Sequence, residues 1–225
     1  RSRVAGAELL FRTLKENEHN VGQFVSASGI SIYPSSFNKL YFEDEEQVAD
    51  TFLGRLVSEW EAAADRFAEL GLRVAKIRTG IVLSEKGGAL DQMQRPVKLG
   101  VGAALGSGKQ WQSWIHLKDL ARIYIHVIEN GLEGVYNATA PDPVTNKELM
   151  EEIAKLEGKK LWLPNVPAFA MKLLMGELAT VALESQLVAS RKIQKSGFSF
   201  NFVKMETALK NLRSKEGKEN LPDHS

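Results

Sequence analysis

The residues of this sequence that could carry out chemistry are concentrated between Gly106 and Ala121. A glycine-rich turn leads into two tryptophans, and His116 and Asp119 follow three residues apart. An imidazole titrates near neutral pH and can therefore donate or accept a proton in a reaction. His116 is accordingly a candidate proton donor, and a histidine satisfied by a neighbouring backbone group is the structural alternative. We expect Asp119 to lie at a helix start, where a carboxylate stabilises free backbone amides.

The glycines around this stretch do not form a phosphate-binding loop. Five residues separate Gly102 from Gly108, whereas the P-loop pattern requires four. Gln110 also stands where a serine or threonine that binds magnesium should follow the lysine. We therefore expect these glycines to form turns.

Composition excludes several classes of function. The chain has 29 Lys and Arg against 28 Asp and Glu, so its formal net charge is +1 and it carries no electrostatic footprint for nucleic acid or an anionic membrane. It has no cysteine and four scattered histidines, so we expect no disulfide, no thiolate nucleophile and no metal site. No apolar run reaches the roughly 18 residues of a membrane helix. We expect a cytoplasmic protein whose partners are small molecules or proteins.

Alternating helix and strand patterns must position these residues. Helical periodicity covers 2–14 and 46–70, and apolar strand patterns cover 23–28, 72–77 and 134–138. Helices and strands in this rhythm predict right-handed crossovers and a parallel sheet, which means an α/β fold.

Small residues end the first two predicted strands. Ser26, Ser28 and Gly29 end the first strand, and Gly80 follows the second. Ligands of open α/β sheets bind at the carboxyl ends of the strands, so these residues could border a ligand; an ordinary exit from strand to loop is the alternative. Arg78 ends a buried strand and needs a partner there, which could be a ligand phosphate or carboxylate or an ion pair within the fold.

Pro141 and Pro143 mark a change to a mostly helical pattern. We divide the chain into a sheet domain at 1–140, a smaller helical domain at 141–213 and a charged, disordered tail at 214–225.

Local patterns predict several elements around and beyond that boundary. A short helix at 89–94 is closed by Pro96, and Thr145 and Glu148 have the spacing of a capping box. The stretch 169–187 is apolar on most sides and forms core or a partner surface, and alternating aromatics predict a short strand at 196–202.

Several motifs, taken together and in order, resemble one known family. They are S-A-S-G (26–29), R-T-G-I-V-L-S (78–84), G-S-G-K-Q-W-Q-S-W-I-H-L-K-D-L (106–120), N-A-T-A-P-D-P-V-T-N (137–146) and S-G-F-S-F (196–200). The chain resembles the extended short-chain dehydrogenase/reductases, and among them the YfcH-like nucleotide-sugar epimerases, which are also labelled cell-division inhibitors.

This resemblance implies a fold and a cofactor. The fold is a Rossmann-like doubly wound parallel sheet with a smaller, mostly helical C-terminal domain. The cofactor is NADP, with NAD as the other possibility, and a homodimer is implied as well. The resemblance also implies that two or three βα units, with a G-x-x-G-x-x-G phosphate turn, precede Arg1.

The resemblance also assigns the residues of a cofactor crevice. Arg3 matches an arginine that contacts NADP, and Val82 matches a residue that meets the nicotinamide through its backbone. By the same similarity, Ser26, Gly29 and Gly80 line the crevice.

The sequence departs from the family at its usual catalytic positions. Extended members carry a Tyr-x-x-x-Lys pair, and if Glu61 is matched to the glutamate beyond that pair, Leu53 and Val57 occupy its two positions. Neither side chain can transfer a proton. Ala27 occupies the position of the family's serine, and Gln112 occupies that of an arginine that grips a diphosphate.

Two hypotheses follow. In the first, the protein is an NADP-dependent epimerase-like oxidoreductase acting on an unidentified small substrate. Hydride would then move to or from a carbon held near Trp111 and Trp114, with Tyr33 or His116 as the acid or base. In the second, it is a catalytically silent NADP-binding regulatory protein that acts through a partner.

Overall fold

The computed structural model describes residues 2–85, 87–175 and 178–213. Its helices are α1 (Ser2–Glu16), α2 (Phe52–Asp65), α3 (Ala89–Lys98), α4 (Leu117–Glu129), α5 (Asn146–Leu156), α6 (Ala168–Met175), α7 (Leu178–Leu183), α8 (Arg191–Lys195) and α9 (Met205–Arg213). Its strands are β1 (Gln23–Gly29), β2 (Leu40–Tyr41), β3 (Arg73–Thr79), β4 (Ile81–Leu83), β5 (Trp111–Gln112), β6 (Trp114–His116), β7 (Gly134–Ala138), β8 (Val144–Thr145) and β9 (Leu187–Val188).

A parallel sheet in the order β1-β3-β7 forms the centre of an α/β fold. Alternate residues of β3 point to opposite faces, as the pleat requires. Ala75 and Ile77 pack with Ile123 and Val127 of α4 on one face. On the other face Arg78 pairs with α2. The predicted α/β fold is therefore confirmed.

A second pair of parallel strands, β4 and β6, continues from the central sheet. β4 follows β3 after a single glycine, Gly80, and its Val82 pairs with Ile115 of β6. α4 starts directly after β6 and runs back along the sheet to Glu129, close to the beginning of β7. This crossover connects the motif around His116 to β7 of the central sheet.

The predicted helix at 46–70 begins later than its apolar pattern indicated. The hydroxyl of Thr51 accepts a hydrogen bond from the Gly54 amide at 3.0 Å and caps α2, so the helix starts at Phe52. The preceding segment is held instead by the Ala49 amide, which donates to the Ile32 carbonyl at 2.8 Å. After α2 a 3-10 turn ends at Gly71, whose φ of +74° favours glycine.

Two other sequence predictions were wrong. Pro96 does not close a helix at 89–94 but lies inside α3, which continues to Lys98. The aromatic segment 196–202 is not a strand, because the amides at its start donate to backbone carbonyls of α8 and the amides at its end donate to a side chain. The Asp119 carboxylate accepts the amides of Asn201 and Phe202 at 3.1 and 2.9 Å.

The part of the chain after Pro141 is attached to the sheet by short strand pairs. β8 pairs antiparallel with β5, and β9 pairs parallel with β2. The capping box of α5 is present: the Glu148 amide donates to the Thr145 hydroxyl, and the Glu148 carboxylate accepts the Thr145 amide.

The boundary at 140/141 stays a prediction, and the tail at 214–225 lies outside the described residues. Within the described part of the chain, no helix combines the length and apolar character needed to cross a bilayer.

Candidate functional site

The three parallel strands end in one row, as the sequence predicted. Gly29 is in register with Thr79, and Thr79 with Ala138. The Gly80 amide then donates to the Ala138 carbonyl at 3.1 Å. Ser26 lies further back, in register with Lys76, so Ser28 and Gly29 form the actual end of β1.

A buried ion pair lies directly behind this row. Arg78 donates from Nε and Nη2 to the two carboxylate oxygens of Glu61, each at 2.8 Å, and the Ser28 hydroxyl donates to the same carboxylate at 2.6 Å. Burial alone would raise the pKa of Glu61, but the hydrogen bonds from Arg78 and Ser28 outweigh it and hold that pKa below its usual value. Arg78 therefore takes the ion-pair alternative and is not free to bind a ligand anion.

Tyr33, a predicted acid or base, is also part of this buried network. Its side chain is 1% exposed, and its hydroxyl accepts from Arg78 Nη1 at 2.9 Å and donates to Asn137 Oδ1 at 2.7 Å. Burial raises the pKa of the phenol above its usual value, against the opposing effect of Arg78. The hydroxyl is therefore buried in the core, where Arg78 and Asn137 are its hydrogen-bond partners.

His116, the other predicted acid or base, has the geometry of the structural alternative. Its Nδ1 accepts the Lys118 amide at 3.0 Å and so caps α4, and its ring stacks on Phe202 with centroids 3.8 Å apart. The side chain is 1% exposed, and burial lowers its pKa to about 4, with Asp119 opposing the shift. Asp119 lies in the first turn of α4, as predicted, but the amides that its carboxylate accepts belong to the segment after α8 and not to its own helix.

The two tryptophans proposed for the substrate occupy different environments. Trp114 is completely buried, and its indole donates to the Asp142 carbonyl at 2.9 Å, so it is a core residue in this structure. Trp111 is partly exposed, and its indole donates to the Phe37 carbonyl at 3.1 Å. The resemblance matched Gln112 to an arginine that grips a diphosphate in the family. In this structure Gln112 is buried between β8 and the segment at Gln186.

The accessible part of the strand ends lies near Arg3. The exposed guanidinium of Arg3 stacks over the Trp60 ring of α2, 4.2 Å from its centroid. On the α4 side, Tyr124 is the one tyrosine of the four that is not buried, and its side chain hydrogen-bonds with Thr79. Val82 is partly exposed. Arg3 and Val82 were predicted from the sequence, whereas Trp60, Thr79 and Tyr124 were not.

No local signal in the sequence marks Trp60 or Tyr124. Trp60 belongs to an apolar helical face and Tyr124 to another, so both are typical of core packing. Burial raises the pKa of the Tyr124 phenol, and the hydrogen bond with Thr79 opposes that shift. The phenol therefore stays protonated near neutral pH and can act as a donor.

The two glycines at the strand ends have different surroundings. A Cβ at Gly80 would lie 2.3 Å from the Ser113 carbonyl oxygen, so the close approach at Gly80 is to protein backbone. A Cβ at Gly29 would meet no protein atom closer than 3.4 Å, and behind it lies Val57 at 3.7 Å. Glycine at 29 is thus not required by packing, because an added Cβ would stay in ordinary van der Waals contact with Ser31 and Val57.

Comparisons with known proteins identify relatives of this chain. Residues 166–212 match the model of a domain of unknown function, DUF1731. An epimerase family protein of Staphylococcus aureus is 36% identical over 217 residues, which cover 95% of this chain and 71% of that protein.

Two solved structures are also similar over most of the chain. The human epimerase family protein SDR39U1 (isoform 2), crystallised with NADPH, has a TM-score of 0.85 and 32% identity, with 98% of this chain and 73% of that chain covered. A nucleoside-diphosphate sugar epimerase of Corynebacterium glutamicum has a TM-score of 0.75 and 28% identity, with 92% and 41% covered. The chain therefore belongs to the epimerase family of extended short-chain dehydrogenase/reductases and carries a C-terminal DUF1731 domain.

Proposed function

We propose that this chain forms the nicotinamide side of an NADP site in an epimerase-like oxidoreductase whose substrate is a small molecule. The observation that carries the proposal is the row of parallel strand ends at Gly29 and Thr79, which is the position where open α/β sheets bind ligands. NADPH in the human relative, at 32% identity, supports the same cofactor.

The residues at this position suit a dinucleotide. Gly29 has no side chain, so a ligand can approach the backbone at the end of β1 closely. Arg3 offers an exposed cation held in place by Trp60, which suits a phosphate group. Val82 would contribute its backbone beside the ring. When bound, NADP would supply hydride transfer, and the chain would supply orientation and a proton.

We propose Tyr124 as the proton donor if the protein turns over. Tyr33 and His116 are each 1% exposed, so neither reaches the open strand ends in this structure. Tyr124 is partly exposed there and is kept protonated by its raised pKa. Tyr124→Phe should then lower kcat at least about tenfold while leaving the Kd for NADPH unchanged. An equal loss in NADPH affinity would instead assign Tyr124 to cofactor binding.

A catalytically silent NADP-binding protein is the second candidate, and specific observations favour it. If Glu61 is matched to the glutamate beyond the family's Tyr-x-x-x-Lys pair, the apolar Leu53 and Val57 of α2 occupy the Tyr and Lys positions. The remaining predicted acid or base groups lie in the core. Under this hypothesis, cofactor binding would act on a partner through the C-terminal helices.

Titration calorimetry and an absorbance assay separate the two candidates. The protein is titrated with NADPH and NADH, and oxidation of NADPH is then followed through the absorbance of the reduced nicotinamide at ~340 nm with a panel of small carbonyl compounds. Saturable NADPH binding with turnover supports the oxidoreductase, and saturable binding with no turnover for any compound supports the silent protein. Absence of binding to either nucleotide would refute both.

A further inference from the structure

The outer edge of β7 presents an unpaired backbone amide. β7 pairs with β3 on one side only, and the Asn137 amide points outward to the Glu43 carboxylate at 3.0 Å. Amides two residues apart along a strand point the same way, so the Val135 amide also points outward. No described residue accepts a hydrogen bond from it.

Three cations line the same cleft as Val135, and none of them has an ion-pair partner among the described residues. Arg191, Lys192 and Lys195 are exposed on α8. Two of them lie over aromatic rings: the Arg191 guanidinium is 5.7 Å from the Phe42 centroid, and the Lys192 ammonium is 4.7 Å from that of Tyr136. These contacts hold the cations near the strand and leave their N–H groups available.

Val135 and the three cations border a cleft of about 490 Å³, which we call the β7 cleft. Its lining residues are Phe42, Glu43, Asp44, Val135, Arg191, Lys192 and Lys195. A volume of this size is within the range of small-ligand sites. The cleft has three cations and two carboxylates, so its net charge is positive by one. Cations and an amide suit an anionic group, whereas carboxylates accept hydrogen bonds from hydroxyl groups.

We propose that the β7 cleft binds a small phosphorylated compound that also carries hydroxyl groups, of the size of a monosaccharide phosphate. The phosphate would contact the Val135 amide together with Arg191 and Lys192. The hydroxyl groups would donate to Asp44 and to the free oxygen of Glu43, and the face of the sugar would pack beside Phe42. The cleft is separate from the strand ends at Gly29 and Thr79, so this proposal does not depend on the NADP site.

Backbone NMR provides the test, with glucose 6-phosphate as the probe. Addition of the probe to the ¹⁵N-labelled full chain should shift the Val135 amide in a saturable way, with a Kd of about 1 mM. The double variant R191A/K192A should weaken this binding by about tenfold, because it removes two exposed charge contacts. The variant R12A/K15A, which removes two exposed and unpaired cations from α1, is the matched control and should bind like the parent.

Each other outcome contradicts a part of the proposal. If the Val135 amide does not shift, or shifts without saturation, the site is refuted. If R12A/K15A loses as much affinity as R191A/K192A, the effect is one of overall charge and not of the cleft. If inorganic phosphate binds as tightly as glucose 6-phosphate, the proposed hydroxyl contacts are refuted. If glucose binds as tightly as glucose 6-phosphate, the proposed phosphate contacts are refuted. Unchanged thermal unfolding of both double variants shows that the fold is intact.

Discussion

Alanine at Gly80 tests whether this glycine serves the fold. An ideal Cβ at position 80 would lie 2.3 Å from the Ser113 carbonyl oxygen and 3.0 Å from Cγ2 of Thr139. Because Cβ atoms do not approach an oxygen so closely, β4 must move, and the 2.9 Å hydrogen bond from the Ile81 amide to the same oxygen must weaken. Overpacking and a weakened buried hydrogen bond together should lower the free energy of unfolding by about 2–4 kcal/mol.

Alanine at Gly29 is the matched control, since it adds the same methyl group at the neighbouring strand end. Its nearest protein contact would be 3.4 Å, and its φ of −141° is accessible to alanine. The free energy of unfolding should stay within about 1 kcal/mol of the parent or rise, whereas NADPH affinity should fall because the methyl group occupies ligand space. Urea unfolding and NADPH titration measure the two effects. If Gly80→Ala unfolds at the parent's urea midpoint, or Gly29→Ala is equally destabilised, the reasoning from close contacts is wrong.

Three further substitutions address the buried network, the buried histidine and the exposed cation. Glu61→Gln leaves the Arg78 guanidinium buried without its counter-charge and should lower the free energy of unfolding by about 3–5 kcal/mol in urea titrations. The pKa of His116 is lowered from 6.5 to about 4, so the unfolded chain takes up the proton first. The free energy of unfolding should therefore fall as pH drops from 6.5 to 4, by about 3 kcal/mol, and urea titrations of His116→Asn should show a smaller fall. Arg3→Ala should weaken NADPH binding by about tenfold in calorimetry without changing stability, and Arg12→Ala on the same helix should leave that affinity unchanged.

Secondary structure was predictable where the signal is local. Each central strand carries at least two apolar residues, such as Val74, Ala75 and Ile77 of β3, and has a glycine at or next to one end. The start of α2 was missed although its signal is also local: the apolar pattern extends back to Val48, but the Thr51 hydroxyl caps the helix three residues later. Val48 is exposed. The cap, and not the periodicity, decides where this helix begins.

The accessibility of the site residues was not predictable because it depends on contacts far apart in the sequence. The partner that occupies the Tyr33 hydroxyl is 104 residues away, on β7. The ring that covers His116 belongs to Phe202, in a segment that the aromatic alternation wrongly assigned to a strand. Spacing alone identifies residue types that can move protons, but their exposure is fixed only when distant segments pack over them.

The buried network connects the ends of the central strands to α2. Hydrogen bonds run from Ser28 on β1 through Glu61 on α2 and Arg78 on β3 to Tyr33 and then Asn137 on β7. Every polar group along this path has a partner, so the network links all three strands of the sheet to α2 at low cost. The acidic and hydroxyl groups closest to the strand ends are thereby used for positioning, and chemistry at this site depends on the partly exposed residues in front of them.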